Sequence, residues 1–240
     1  MDASTIIAVA IIFMLIAIFG TVAFLLAYLG AFREILINVG KPPVKKFRGY
    51  YKFARGDYKE SGSLFEETSK LAPDLRTFGI YYDDPEKTPF ASRRYIVGTI
   101  VEEDGVPGVE DSEKLKQFEQ ALKEHGYKEV EIPSVENAAF VTFPWRTNFS
   151  IFIAVNRVYP AFSNFIKEKR LDHGPFLEVY DRPAEAIHFA TPLEKFDDLY
   201  VLDCLEANND EDYEDLSPES ANEDAEAEDG ESRDVPKDSE

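Results

Sequence analysis

Cysteine is almost absent from this chain. Cys204 is the single one in 240 residues, which excludes an internal disulfide framework and zinc sites built on paired C-x-x-C strings. Histidine is nearly as scarce: His125, His173 and His188 lie in different elements, at no spacing that suits a metal or a triad, so each reads as structural or exposed. No GxGxxG, P-loop, HExxH or GxSxG string occurs, and neither enzyme activity nor a cofactor is expected. A basic surplus is lacking too. Lys and Arg number 26 against 46 Asp and Glu, a formal charge of −20. Neutralising phosphates requires the opposite balance, so direct nucleic-acid binding is not expected.

The negative charge is concentrated at one end. Residues 206–240 hold 16 acidic side chains against 2 basic ones, a net of −14, which leaves −6 for the 205 residues before them. With so few apolar residues this segment has no core to bury, and it reads as a disordered acidic tail. The N-terminus is the opposite extreme. Thr5 to Phe32 is an uncharged run of 28 residues, nearly all Ile, Ala, Val, Leu and Phe, where crossing a bilayer core takes about 20. A cleaved signal peptide competes with this reading, but no basic residue precedes the run, and it exceeds the roughly 7 to 15 apolar residues of a signal sequence. A single transmembrane helix over residues 5–32 is therefore expected. Arg33, Lys41, Lys45, Lys46, Arg48, Lys52 and Arg55 follow it and no Lys or Arg precedes it, so the positive-inside rule places residues 1–4 in the lumen and the bulk of the chain in the cytosol. Asn148-Phe149-Ser150 is then a glycosylation sequon in a compartment that does not modify it.

Between these extremes, Gly40-Lys41-Pro42-Pro43 reads as a neck that stops any helix leaving the membrane. Phe47 to Ala54 reads as a strand, and Glu60 to Leu71 as a helix with Leu64, Phe65, Thr68 and Leu71 on one face. Arg76 to Asp83 and Arg94 to Glu102 read as two strands. A helix over Asp111 to His125 has Asp111 or Ser112 as its start signal and Gly126 as its stop. Tyr127 to Ile132 and Ala138 to Phe143 are strands, and Phe149 to Arg170 is helical, with Pro160 expected to kink or divide it. Phe176 to Asp181 and Ala186 to Thr191 are the last strands. The order β-α-β-β thus occurs twice, over 47–102 and 138–192, and Tyr82-Asp83-Asp84-Pro85 shares letters with Tyr180-Asp181-Arg182-Pro183. Duplication explains both; the alternative for the shared letters is that Asp and Pro are ordinary turn residues.

Gly79-Ile80-Tyr81-Tyr82-Asp83-Asp84-Pro85, Arg94-Tyr95-Ile96-Val97-Gly98 and Leu177-Glu178-Val179-Tyr180, with Ile187-His188-Phe189 and Pro192-Leu193, resemble the GyrI-like domain family. That resemblance implies an α+β fold of two β-α-β-β repeats around a groove that in several members binds amphipathic ligands. Together with the N-terminal anchor, Pro42-Pro43, Tyr51-Lys52-Phe53 and the 62–65 and 73–76 segments, the combination is similar to a family of single-pass endoplasmic reticulum receptors for reticulophagy. The layout it implies is a lumenal stub at 1–4, a transmembrane helix at 5–32, a basic juxtamembrane neck at 33–46, a GyrI-like domain at 47–205 and a disordered acidic tail at 206–240.

The resemblance implies a tail motif, aromatic-x-x-aliphatic, that binds the ubiquitin-like autophagy modifiers on the phagophore. Tyr213 and Leu216 stand at that spacing, with Asp210, Glu211 and Asp212 before them and Glu214 and Asp215 between. Such a peptide adds a strand to a sheet edge, and flanking carboxylates favour a basic docking face. Ser217 before Pro218 is a candidate phosphosite. A Tyr-x-x-hydrophobic string also describes endocytic sorting signals, and that alternative stays open. The resemblance further implies an adaptor role that bridges the ATPase valosin-containing protein and a DNA-protein crosslink protease to trapped topoisomerase I, with the nuclear envelope and the autophagosome as added locations. Glu178 falls where ligand-binding relatives place a groove carboxylate, so Glu178 and Tyr180 are the candidate groove for a cationic amphipathic molecule. The competing reading is an outward-facing strand glutamate.

Overall fold

A computed structural model describes residues 2–207. The elements are α1 (Ala3–Tyr28), β1 (Asn38–Gly40), β2 (Phe47–Arg55), α2 (Ser61–Leu71), β3 (Thr77–Tyr81), β4 (Arg94–Glu103), β5 (Val106–Pro107), α3 (Ser112–Glu124), β6 (Lys128–Ile132), β7 (Ala138–Pro144), α4 (Asn148–Lys169), β8 (Phe176–Asp181) and β9 (Ala186–Pro192). Short 3-10 turns lie at Tyr58–Glu60, Phe90–Ser92 and Phe196–Leu199. One compact unit runs through Val201, and residues 202–207, a short helical stretch holding Cys204, begin a second.

The strands of the first unit form one antiparallel sheet in the order β1-β7-β9-β8-β3-β4-β2-β6, with β5 paired to β4. Its two halves, β7-β9-β8 and β3-β4-β2, are the two β-α-β-β repeats, joined antiparallel at β8 and β3. The duplication read from element order is therefore present in the topology. The shared Tyr-Asp-x-Pro letters are not its structural equivalents. Tyr82 donates to the Leu199 carbonyl on one face of the sheet, whereas Tyr180 lies two residues from Glu178 on the other and donates to it. Tyr81, on the same face as Tyr180, is the true counterpart.

α2 and α4 cover the face that carries Gly79 and Glu178. The α4 side packs Ile153, Ala154, Val158 and Phe162 on Val141, Phe143, Ile187 and Phe189. On the other half, Leu122 of α3 joins Tyr50, Leu75, Val101 and Tyr127. Local signals set the helix ends. Asp111 accepts from the backbone N–H of Glu113 and Lys114 at 3.0 and 3.2 Å and Gly126 leaves at φ +80°, as the capping pattern predicts. Thr147 and Ser150 form a reciprocal capping box on α4.

Three expectations change. Pro160 does not divide α4, which runs unbroken over Asn148–Lys169. The residue faces solvent, so the Asn156 carbonyl it leaves behind reaches water while Val158 and Phe162 keep the inner face packed. The apolar run continues to Phe32, but α1 ends at Tyr28, because Gly30 turns the chain at φ +88°. The neck contributes to the sheet: Asn38–Gly40 pairs with Phe140–Ala138 at the β7 edge. Three residues carry no readable period, and their partner lies about a hundred residues away, so no local pattern betrays that strand. The cations of the neck and of early β2 also find partners on the folded domain, most of them at its surface. Lys41 pairs with Glu136 at 2.8 Å, Lys45 with Asp104 at 3.1 Å, Lys46 with Glu131 at 2.9 Å, and Arg48 with Glu119 at 2.8 Å and Glu129 at 3.0 Å.

The β2-β3-β4 half closes over paired glycines. Gly98 sits opposite Phe78 on β3 and Tyr51 on β2, and a β-carbon there would overlap the Tyr50 carbonyl oxygen and come within 2.9 Å of the Phe78 ring. Gly49 meets the same ring. Phe78 lies across this glycine floor with Phe47 at 5.0 Å between ring centroids. Gly98→Ala is expected to cost about 2 to 4 kcal/mol by forcing backbone and ring apart, measured by urea unfolding in detergent micelles.

Candidate functional site

At the junction of the repeats, Gly79 of β3 faces Glu178 of β8 across the ladder. The missing side chain at Gly79 makes room: a β-carbon there would lie 3.0 Å from Phe65 and 3.2 Å from the Tyr81 ring. Glu178 is 2% exposed, and among the described residues no cation pairs with it. Phenols replace the cation. Tyr159 of α4 donates to Oε1 at 2.6 Å and Tyr180 to Oε2 at 2.7 Å, and the nearby Tyr81 phenol also favours the anion. Ser61 at the start of α2 lies 3.3 Å from the Tyr81 hydroxyl. Rings close the surroundings: Phe65 packs edge-on against Tyr180 at 4.9 Å, and Tyr159 against Phe176 at 5.2 Å.

Burial pushes the Glu178 carboxyl up from its ordinary 4.5, against the Tyr159, Tyr180 and Tyr81 phenols, which favour the anion. The phenols move in the same direction, because burial and the adjacent carboxylate both disfavour a phenolate. The arrangement is a neutral donor cage around one carboxyl group. With Glu178 2% exposed, the cage is sealed rather than open to a ligand.

The open space lies beside this cage. A cavity of about 250 Å³ is lined by Ser69, Leu75, Thr77, Trp145, Tyr180 and Arg182. The Arg182 guanidinium stands over the Trp145 ring at 4.5 Å. The charge this cavity presents is therefore cationic, and the carboxylate lies behind Tyr180.

No protein-family model matches the chain. It is 34% identical over 180 residues to testis-expressed protein 264 of Homo sapiens, and 32% identical over 179 residues to the testis-expressed protein 264 homolog of Mus musculus. The chain belongs to the testis-expressed protein 264 family. Each match covers 75% of this chain and 55% of the relative, so the chain spans about half the length of the curated family members it matches. Among solved structures, the C-terminal domain of EcmrR aligns at TM-score 0.40 and 12% identity over 67% of this chain and 98% of its own. A hydrolase from Listeria innocua aligns at 0.33 and 9% over 66% and 91%. Likenesses this distant carry no argument about fold or chemistry.

Of the residues singled out in the sequence, Glu178 and Tyr180 meet at the cage, and the outward-facing alternative for Glu178 is excluded by its burial. Asp210, Glu211, Asp212, Tyr213, Glu214, Asp215, Leu216 and Ser217 lie outside the described residues. The histidines bond locally: His125 to the Ala121 carbonyl at 2.8 Å, His173 to that of Gly174 at 2.8 Å, and His188 to Thr142 at 3.0 Å. Sequence reasoning missed Tyr159, Tyr81, Trp145 and Arg182 as members of this region. Tyr81 had a usable signal, lying two residues beyond Gly79 as Tyr180 lies two beyond Glu178. Tyr159 had none, since a helix residue reaching a strand carboxylate is a tertiary event.

The cage sets a pH dependence. A carboxyl with a raised folded pKa contributes stability that is fully present below about 4.5 and is lost as pH rises through the folded value. Glu178→Gln should remove that fall from a stability-against-pH curve. Tyr159→Phe should extend it to higher pH, since one donor to the anion is gone, and should cost about 1.5 to 3 kcal/mol at neutral pH. Chemical unfolding at a series of pH values reads both effects.

Proposed function

We propose that this chain is a single-pass receptor for selective autophagy at the endoplasmic reticulum membrane. α1 crosses the bilayer with its N-terminus lumenal, the duplicated β-α-β-β unit is a non-enzymatic GyrI-like adaptor domain in the cytosol, and the acidic tail recruits the autophagy machinery. The observation that carries the reading is an exposed helix of 26 residues with no charged side chain, joined to a folded domain whose far end leads into the acidic segment. Membership of the family supports it.

In the tail, Tyr213 and Leu216 dock in two side-chain pockets while the intervening backbone adds a strand to a ubiquitin-like modifier, and the carboxylates at 210–212, 214 and 215 steer the encounter. Phosphorylation of Ser217 adds to that charge. Valosin-containing protein and a DNA-protein crosslink protease are proposed as further partners of the cytosolic part. The sealed state of Glu178 favours an adaptor over a ligand-driven protein, because the groove carboxylate is already satisfied by the protein's own phenols.

A second reading, a membrane-tethered small-molecule binder or hydrolase, draws on the cavity beside Tyr180. A cationic amphiphile would have to displace Tyr159 or Tyr180 from Glu178 and enter past Arg182.

Binding of the full chain to purified ubiquitin-like modifiers tests the receptor reading. Tyr213→Ala combined with Leu216→Ala should weaken binding about ten-fold or more, and equal binding by the double variant sinks the receptor reading. On the second reading, cationic amphiphiles raise the unfolding temperature of the wild type but not of Glu178→Gln. Absence of any shift across a broad panel removes that reading.

A further inference from the structure

The end of α1 is joined to the domain without a spacer. Leu26 of its last turn and Leu29 just beyond it pack against the core cluster that α4, β7 and β9 share, and Ala31, Ile35 and Ile37 continue that contact. The Arg157 guanidinium of α4 donates to the Gly30 carbonyl at 2.9 Å, and Arg146, just before α4, lies 5.7 Å from the Tyr28 ring. Gly30 itself seats so closely that a β-carbon would lie 2.8 Å from Phe143. A helix of 26 residues is about 39 Å long, against a hydrocarbon core of about 30 Å, so its last turn reaches the headgroup layer. The first half of α4 is held at that level.

This half of α4 exposes apolar side chains. Phe149, Phe152 and Val155 are 53%, 62% and 37% exposed, and the two phenyl rings stack at 5.7 Å. In the segment that follows α1, Phe32 and Leu36 are 68% and 60% exposed. Beyond α1, eight large apolar side chains of the first unit are exposed, and six of them lie in segments 32–39 and 149–155. The patch thus belongs to the membrane joint and is not scattered over the domain. Its charge agrees. In a chain of net −20, no Asp or Glu occurs from Asn148 through Lys167, so an anionic lipid surface meets no repulsion there.

We propose that Phe149, Phe152 and Val155, with Phe32 and Leu36, rest in the headgroup and upper acyl region of the phospholipid bilayer that α1 crosses. Aromatic side chains suit that layer, and a helix with an apolar outer stripe lies in its plane. The domain then holds one attitude to the membrane, with α4 against lipid and α3, which packs on the half of the sheet away from the α1 joint, clear of it. The inference rests on α1 being a membrane anchor, and its test separates the two.

The full chain is reconstituted into phosphatidylcholine vesicles with bromine near the top of the acyl chains. Trp145→Phe removes the native indole, and single tryptophans are introduced by Phe149→Trp, Phe152→Trp, Phe19→Trp in α1 and Glu113→Trp on α3. Emission from positions 149, 152 and 19 should fall about two-fold or more relative to unbrominated vesicles, and that from 113 should not change. Quenching at 19 with 149 and 152 behaving like 113 overturns the docking and leaves the anchor standing. No quenching at 19 removes the anchor and the docking with it. Shielding of 149 and 152 from an aqueous quencher, without bromine quenching and rising with protein density, assigns the patch to a second copy and overturns the proposal. Should Trp145→Phe lose the fold, the same comparison is made as added quenching over the parent that retains Trp145.

Discussion

One buried carboxylate that has no cation beside it among the described residues constrains the centre of this structure. Glu178 lies on β8 where the two repeats meet, and leaving it unsatisfied would cost more than any single side chain nearby contributes. Tyr159 of α4 and Tyr180 of β8 donate to it, and the Tyr81 phenol of β3 favours the same anion. Because those phenols belong to both repeats and to a helix, satisfying one charge ties the two halves of the sheet to each other and α4 to both. Gly79 is required for the same reason, since the Tyr81 ring occupies the space its side chain would take. The surrounding rings exclude water, which makes the hydrogen bonds stronger and the charge dearer.

Charge elsewhere follows a different logic. Summed over the chain, −20 suggests a uniformly acidic molecule. In the fold, cations that follow α1 find carboxylates on β6, α3 and the loops, most of them at the surface. Pairs of that kind contribute little stability each. Their positions in sequence are what the positive-inside rule reads if α1 crosses a membrane, while their positions in space lie where β1 and β2 meet their neighbours. The same residues thus carry two separate arguments, one about insertion and one about folding.

The two ends of the sheet show how repeats are adapted. β1 and β6 add outside β7 and β2, covering edges that would otherwise present unpaired backbone groups. β1 does so with a segment that a linear reading treats as a linker, and this packs the chain that follows α1 against the domain's core through Ile35 and Ile37. The end of α1 and the domain consequently belong to one compact unit, with the exposed stripe of α4 close to their joint.

Much of the architecture was legible in the residues. Alternation and caps located β2, β4, β7, β8, β9 and α2, α3 and α4 within a few residues, because burial on one face imposes a period that local sequence must obey. The apolar helix was legible for the simplest reason, that lipid or core tolerates no charge over such a length. What tertiary structure alone decided is whatever depends on partners distant in sequence. The short edge strand at 38–40 exists because β7 is there to receive it, α4 continues through Pro160 because its inner face is packed, and Tyr81 rather than Tyr82 is the mate of Tyr180 because pleat parity sends successive side chains to opposite faces. Glu178 shows the division most clearly. Its chemistry as a carboxyl group was written in the sequence; that it is sealed among tyrosines, with Arg182 at the open cavity instead, was settled by which side chains the fold brings within hydrogen-bond distance.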